Sequence, residues 1–217
     1  MDQLLEQLFG SLPKVRILRL FMQNPEEYFT FKEIAERTKL SPRVSKKELH
    51  KLMKIDLIRE KNINIREEIR QKKVVPRKPA YKKKIRSKIK KTRVFYLNSE
   101  FPFLKELKDL VIKASVASRK RLTSQIKSLG RIRLALISGI FINNDRARTD
   151  LLIVGDDVGK KRLENFLSQI ESELGKSIHY TLMDSDEYKY RMNMYDRFLR
   201  DILEFPHEKL INKVINA

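Results

Sequence analysis

Cysteine and tryptophan are absent from this chain of 217 residues, which also has only three histidines and six glycines. Without thiols there are neither disulfides nor thiolate zinc sites, and His50, His179 and His207 are too widely spaced to suggest a metal cluster. No apolar run approaches the roughly 20 residues that a membrane-spanning helix needs. Met1 leads into an amphipathic pattern rather than an apolar signal core. The expectation is a cytoplasmic protein with no membrane association, no structural metal and no cofactor. Acidic residues are scarce beside basic ones: 28 Asp and Glu against 48 Lys and Arg give a formal charge of +20. A pI near 10.1 favours a polyanionic partner, whether nucleic acid, anionic lipid or ribosomal RNA, because displaced counterions add to affinity.

A hydrophobic fraction of 41% is still enough for real cores, and the length suits two small domains. The charge is concentrated. Residues 64–93 hold fourteen Lys or Arg against two acidic residues, a net +12 and more than half of the total. Two β-prone runs, 57–65 and 92–97, flank this stretch. Its Val75-Pro76 and Lys78-Pro79 pairs bias the chain to extended conformations and oppose a helix through the middle.

Before that stretch, apolar residues recur at helical spacing: Leu4, Leu5, Leu8 and Phe9, then Val15, Ile17, Leu18, Phe21 and Met22 after Pro13. Asn24-Pro25 breaks the pattern. Thr30 and Glu33 form a capping-box pair opening a helix with Ile34 and Ala35. A turn at Thr38-Lys-Leu40 follows, then Ser41 as cap and Pro42 at the first position of a helix running to about Lys54. Leu49, Leu52 and Met53 mark the inward stripe of this helix, leaving Arg43, Lys46, Lys47 and His50 on its remaining surface. The stripe extends back to Ser45 at the core's edge. Val44 lies off it, placed either to touch a thymine methyl or to pack against the neighbouring helix.

These residues, notably Phe31-Lys-Glu-Ile-Ala-Glu-Arg-Thr38, Ser41-Pro42 and Leu49-His-Lys-Leu-Met-Lys-Ile-Asp-Leu-Ile58, resemble the winged helix-turn-helix regulators of the ArsR-like type. The resemblance implies that the helix beginning at Ser41 enters the major groove and that the hairpin over residues 57–97 is a wing along the backbone. The residues then expected at DNA are Arg43, Val44, Lys46, Lys47 and His50, with Lys82, Lys83, Lys84, Arg86, Lys88, Lys90, Lys91 and Arg93 tracking phosphates from the wing.

Beyond the wing, Phe101 to Val111 and a run from about Ala117 to Leu129 have helical spacing. Gly130 ends these helices; residues 134–138 and 150–154 read as buried strands, and Leu163, Phe166, Leu167 and Ile170 as an amphipathic helix. Another strand is expected at about 177–183. The tail, with Tyr190, Met194, Phe198, Ile202 and Leu203 and then Leu210, Ile211 and Val214, is expected to be helical. From about residue 134 the chain resembles the small nucleotidyltransferase-like domains of the polymerase β superfamily. In that family a Gly-Ser pair approaches the triphosphate, and an Asp-x-Asp on the next strand holds two divalent metals. Here the matching residues are Gly139-Ile140 and Arg148-Thr149-Asp150, so the hydroxyl and the first carboxylate are missing. A cation at Arg148 reverses the charge a metal requires. Asp145, Asp156 and Asp157 lie off the expected spacing, and His179, next to Tyr180, either marks where the family's third carboxylate lies or simply packs on its strand.

The whole, including Leu151-Leu-Ile-Val-Gly155, Tyr188-Lys-Tyr-Arg191, Met194-Tyr-Asp-Arg197, Arg200-Asp-Ile-Leu203 and Pro206-His207, is similar to bacterial transcriptional regulators that join a winged helix to a degenerate nucleotidyltransferase-like domain. The expected fold class is α+β. A winged helix-turn-helix would occupy 1–98 with a basic wing insertion at 64–93, a helical connector 99–130, and a small α/β domain 131–217 without catalytic activity. The expected function is sequence-specific binding of double-stranded DNA, with a homodimer and a nucleotide-like or other small effector as further expectations. Two alternatives remain: a metal-dependent nucleotidyltransferase acting on a small molecule, protein or RNA end, and an RNA-binding or ribosome-associated protein. On the second domain, Arg191, Arg197 and Arg200 could bind an anion or pair with Asp196, Asp201 and Glu204.

Overall fold

A computed structural model describes residues 2–68, 87–113, 119–142, 144 and 146–213, a mixed α+β arrangement with two separate sheets. It opens with helices α1 (Asp2–Phe9) and α2 (Leu12–Gln23). Ser11 Oγ accepts the Lys14 N–H at the start of α2, and Pro13 sits in its first turn. Strand β1 (Phe29–Thr30) leads into α3 (Phe31–Thr38). The capping box at α3 is complete: Thr30 Oγ1 accepts the Glu33 N–H at 3.3 Å, and Glu33 Oε2 accepts the Thr30 N–H at 2.7 Å. Lys39, left-handed at φ 51°, ends α3. Helix α4 (Pro42–Lys54) follows. Ser41 occupies its N-cap position, but contrary to expectation its side chain makes no capping hydrogen bond.

Strands β2 (Ile58–Glu68) and β3 (Ser87–Leu97) pair antiparallel from Ile58 opposite Leu97 to Glu68 opposite Ser87. Strand β1 adds to the other edge of β3, with Phe29 opposite Phe95. Helix α5 (Leu104–Lys113) closes this first body. Ile17, Leu20, Phe21, Ile34, Leu49, Leu52, Leu57, Ile58, Phe95, Leu97 and Val111 form one core. Phe21 and Phe29 meet edge to face in it, their ring centroids 5.4 Å apart.

The second body begins with α6 (Arg119–Lys127) and continues with β4 (Arg131–Ile137), a 3-10 turn (Gly139–Ile142), β5 (Leu151–Asp156), α7 (Lys160–Leu174) and β6 (Tyr180–Met183). Helices α8 (Ser185–Asn193) and α9 (Arg197–Glu204) and strand β7 (Glu208–Asn212) complete it. The sheet order is β6-β5-β4-β7, with β5 and β6 parallel across the α7 crossover and the other pairs antiparallel. Both faces are covered. Ile132, Ala135, Ile137, Leu151 and Ile153 pack beneath Leu122, Ile126, Phe166, Leu167 and Ile170. Leu134, Leu136, Leu152 and Val154 face Met183, Leu199 and Ile202. That double burial explains why β5, and β4 from Leu134 onward, are apolar without alternation. The α5 residues thus join the first core and the α6 residues the second.

One expectation fails here. The tail around Leu210 and Ile211 is strand β7, not helix, with Ala135 opposite Ile211. Pro206 bars continuation of α9, and the outer edge of β4 offers unpaired N–H and C=O groups that a strand satisfies and a helix does not. Val214, grouped with them, lies outside the described residues.

The bodies meet where α2 crosses the end of α7. Arg19, 1% exposed, donates from Nη1 to the Glu173 carbonyl at 2.9 Å, and Asn24 Nδ2 donates to the Gly175 carbonyl at 2.7 Å. Gly175 ends α7 at φ 79°, and a Cβ there would lie 2.5 Å from the Arg19 carbonyl carbon. Both its conformation and the close approach call for glycine.

Candidate nucleic-acid interface

Thirteen residues of α4, set by Pro42 and the turn at Lys39, present two faces. Leu49 and Leu52 are buried with Ser45 and Glu48, whereas Arg43, Lys46, Lys47 and His50 are all exposed. Val44 is half-buried. Ser45 lies fully inside, not at the edge of the core, at 0% exposure. Its Oγ has no hydrogen-bond partner among the described residues, and neither has Glu48 Oε2. Glu48 Oε1 accepts from Lys51 Nζ at 2.8 Å.

A groove of about 870 Å³ runs between α4 and the β2–β3 hairpin, lined by Phe31, Arg43, Lys46, Lys47, Leu49, His50, Met53, Glu60, Arg93 and Phe95. Four Lys or Arg side chains on that wall outnumber the single carboxylate, Glu60. Glu60 approaches Arg93 Nη1 at 3.5 Å, but both side chains are well exposed, so the pair is weak. Strand alternation puts Lys91 on the same side as Arg93 and Phe95, over the groove, and Lys90 on the opposite side. All three cations are exposed. Lys88 is in β3, opposite Glu67. Lys82, Lys83, Lys84, Arg86 and the two proline pairs lie outside the described residues.

The opposite face of the hairpin carries a feature not read from the sequence. Lys61 Nζ sits 3.7 Å from the Tyr28 ring centroid and 5.3 Å from that of Tyr96. These residues lie in three separate segments, so only the β1-β3-β2 order brings them together.

In the second body, Gly139 and Asp150 come together in an unexpected way. Asp150 Oδ1 accepts the Ile140 N–H at 2.8 Å, and Oδ2 accepts the His179 N–H at 2.8 Å. Gly139 has φ 54°, and a Cβ there would collide with Asp150 Oδ1. The carboxylate is thus a clamp joining the 3-10 turn to the segment before β6, with only 13% of the side chain exposed. Arg148 Nη2 pairs with Asp201 Oδ2 at 2.6 Å. Asp156 accepts the Ser185 N–H and hydroxyl, which hold its carboxyl below the usual range. Asp157 pairs with Arg131 at 2.6 Å, and Asp145 lies outside the described residues. A pair of divalent metals does not fit these groups, since both Asp150 oxygens are committed to main-chain donors and the position of the first carboxylate holds Arg148, itself paired with Asp201.

Set against protein-family models, curated proteins and solved structures, the chain matches none. Among the described residues no helix is long and apolar enough to cross a membrane. Nor do any three His, Asp or Glu among them form a group able to hold a metal ion. Of the tail cations, Arg191 pairs with Glu187 at 2.6 Å and Arg200 approaches Glu204 at 3.8 Å, while Asp196 caps α9 through the Leu199 N–H.

Proposed function

We propose that the chain is a cytoplasmic, sequence-specific regulator that binds double-stranded DNA. In this reading the first body is a winged helix-turn-helix: α3 and α4 are the helix pair, α4 enters the major groove, and the β2–β3 hairpin is the wing. One observation carries it. Arg43, Lys46, Lys47 and His50 are exposed on one face of α4 and share a groove with Arg93 of the hairpin. A short helix flanked by a basic ribbon suits a duplex, whose major groove admits a helix while its phosphates are met alongside. Arg43 and His50 are assigned to base edges; Lys46, Lys47, Lys91 and Arg93 are assigned to phosphates.

The second body is proposed to resemble a nucleotidyltransferase in outline while doing no chemistry. Asp150, the carboxylate that would anchor a metal, instead closes two backbone hydrogen bonds. A homodimer, with paired half-sites about one DNA turn apart, completes the proposal. Selecting bound duplexes from a random pool tests it. A recurrent base pattern with two related half-sites is expected; equal recovery of all sequences, or preferential competition by structured RNA, overturns the reading.

A further inference from the structure

The groove between α4 and the hairpin joins two chemistries, an apolar floor and a cationic rim. Leu49 and Met53 lie one turn apart on α4, Phe31 opens α3, and Phe95 comes from β3. Leu49 and Phe95 are buried in the first core, whereas Phe31 and Met53 pack against it only half-buried and leave apolar surface to the groove. Apart from the thymine methyl, the base edges and phosphates of a duplex are polar. A duplex lying on the rim therefore leaves this floor to water. Water over an apolar floor makes few hydrogen bonds there, and displacing it with an apolar group gains affinity.

The rim involves no buried charge. Arg43, Lys46 and Lys47 are exposed, and their side chains have no ion-pair partner among the described residues. Arg93, also exposed, meets Glu60 at 3.5 Å. Four cations against one carboxylate give the rim a net +3 with His50 neutral. The volume of about 870 Å³ lies within the roughly 300–1,000 Å³ of small-molecule sites, which are mostly apolar and orient their ligands through a few polar groups.

We propose that this groove binds a small amphipathic anion, an apolar body ending in a single carboxylate. The body lies on Phe31, Leu49, Met53 and Phe95, and the carboxylate meets the rim cations. Since those cations are also the ones assigned to DNA, ligand and duplex exclude one another, and the anion releases the chain from its operator. Ligand binding stands on the groove alone; the exclusion rests on the DNA-binding reading.

The test is methionine-methyl NMR of the full chain titrated with decanoate or 1-naphthoate below any micelle concentration, at constant ionic strength. Met53 lines the groove, whereas Met183, Met192 and Met194 belong to the second body. With Met53→Leu assigning its signal, Met53 should shift saturably and the other three should stay. A response to decanoate alone identifies an alkyl body, a response to naphthoate alone a flat aromatic one, and a response to both a floor that takes either. Acetate, a head without a body, should give no shift. A Lys46→Gln, Lys47→Gln, Arg93→Gln variant, altered only at exposed positions, should bind the acid about tenfold more weakly. At ten times its own Kd, the acid should lower the apparent affinity for a fluorescent duplex by about tenfold. No Met53 shift with either acid, equal shifts of the second-body methionines, or undiminished binding in the triple variant overturns the ligand site while leaving duplex binding intact. A Met53 shift in a chain that binds no duplex overturns the DNA-binding reading instead, and undisturbed duplex affinity in the presence of a bound acid overturns the exclusion.

Discussion

Replacing Asp150 separates a structural clamp from a relic of catalysis by the sign of the stability change. In the clamp, Asp150→Ala strips acceptors from the Ile140 and His179 N–H groups, each held at 2.8 Å. The Ile140 N–H is partly buried, and leaving such a donor unpaired costs about 1–3 kcal/mol. The His179 N–H lies in an exposed residue where water replaces the carboxylate, so its loss adds about 0.5–1.5 kcal/mol. The His179 ring, 3.5 Å away at Nδ1 and 85% exposed, adds little. The total is roughly 2–4 kcal/mol. With an m-value of about 1–3 kcal/mol per molar urea, the unfolding midpoint should fall by on the order of 1 M. Asp150→Asn, retaining one acceptor oxygen, should lose about half as much. A carboxylate kept for metal binding behaves oppositely, because relieving a functional constraint commonly stabilises. A midpoint in Asp150→Ala that is unchanged or raised would therefore refute the clamp, as would magnesium-dependent stabilisation of the unaltered protein that Asp150→Ala removes.

Two further outcomes follow from the described contacts. Ser45 Oγ is buried without a partner, so Ser45→Ala should stabilise by about 1 kcal/mol in urea titrations without weakening duplex binding; destabilisation would show that the hydroxyl is satisfied. The Asp156 carboxyl is depressed first by the Ser185 N–H, then by its hydroxyl and by Arg131 and Arg133. A depressed carboxyl stabilises the fold above its unfolded value, near pH 4, and that contribution is lost as the pH falls through the folded value. Ser185→Ala keeps the N–H and removes the hydroxyl, so a carbon-detected titration should show Asp156 moving part-way up; an unmoved carboxyl would contradict the assignment.

Local chemistry made the first body legible. Thr30 with Glu33 encodes its own helix start, Pro42 marks the next, and the stripe at Leu49 and Leu52 leaves Arg43, Lys46, Lys47 and His50 on the outer face of α4 by subtraction. The strands flanking the basic stretch were legible as β-prone runs, though the hairpin extends several residues further along each arm. What escaped was non-local. Leu210 and Ile211 carry no period that separates helix from strand, and only the open edge of β4 decides. Tyr28, Lys61 and Tyr96 meet through sheet order. Arg19 finds Glu173 across 154 positions, a pairing that no window of sequence contains. Asp150 read as the survivor of a broken metal pair, because a side chain that bonds backbone N–H groups leaves no mark on sequence spacing.

The central claim is that the α4 groove and the hairpin together grip a duplex. It is tested most directly by the salt dependence of binding to a fluorescent duplex chosen from the selected pool, for the unaltered chain and for the Lys46→Gln, Lys47→Gln, Arg93→Gln variant. With about six to ten phosphates neutralised, affinity should fall roughly 10³ to 10⁵-fold between about 50 and 200 mM salt. Each removed phosphate contact should lower the logarithmic slope by about 1. An unaltered chain that ignores duplex at low ionic strength, or a variant with the same slope and affinity as its parent, would contradict the account.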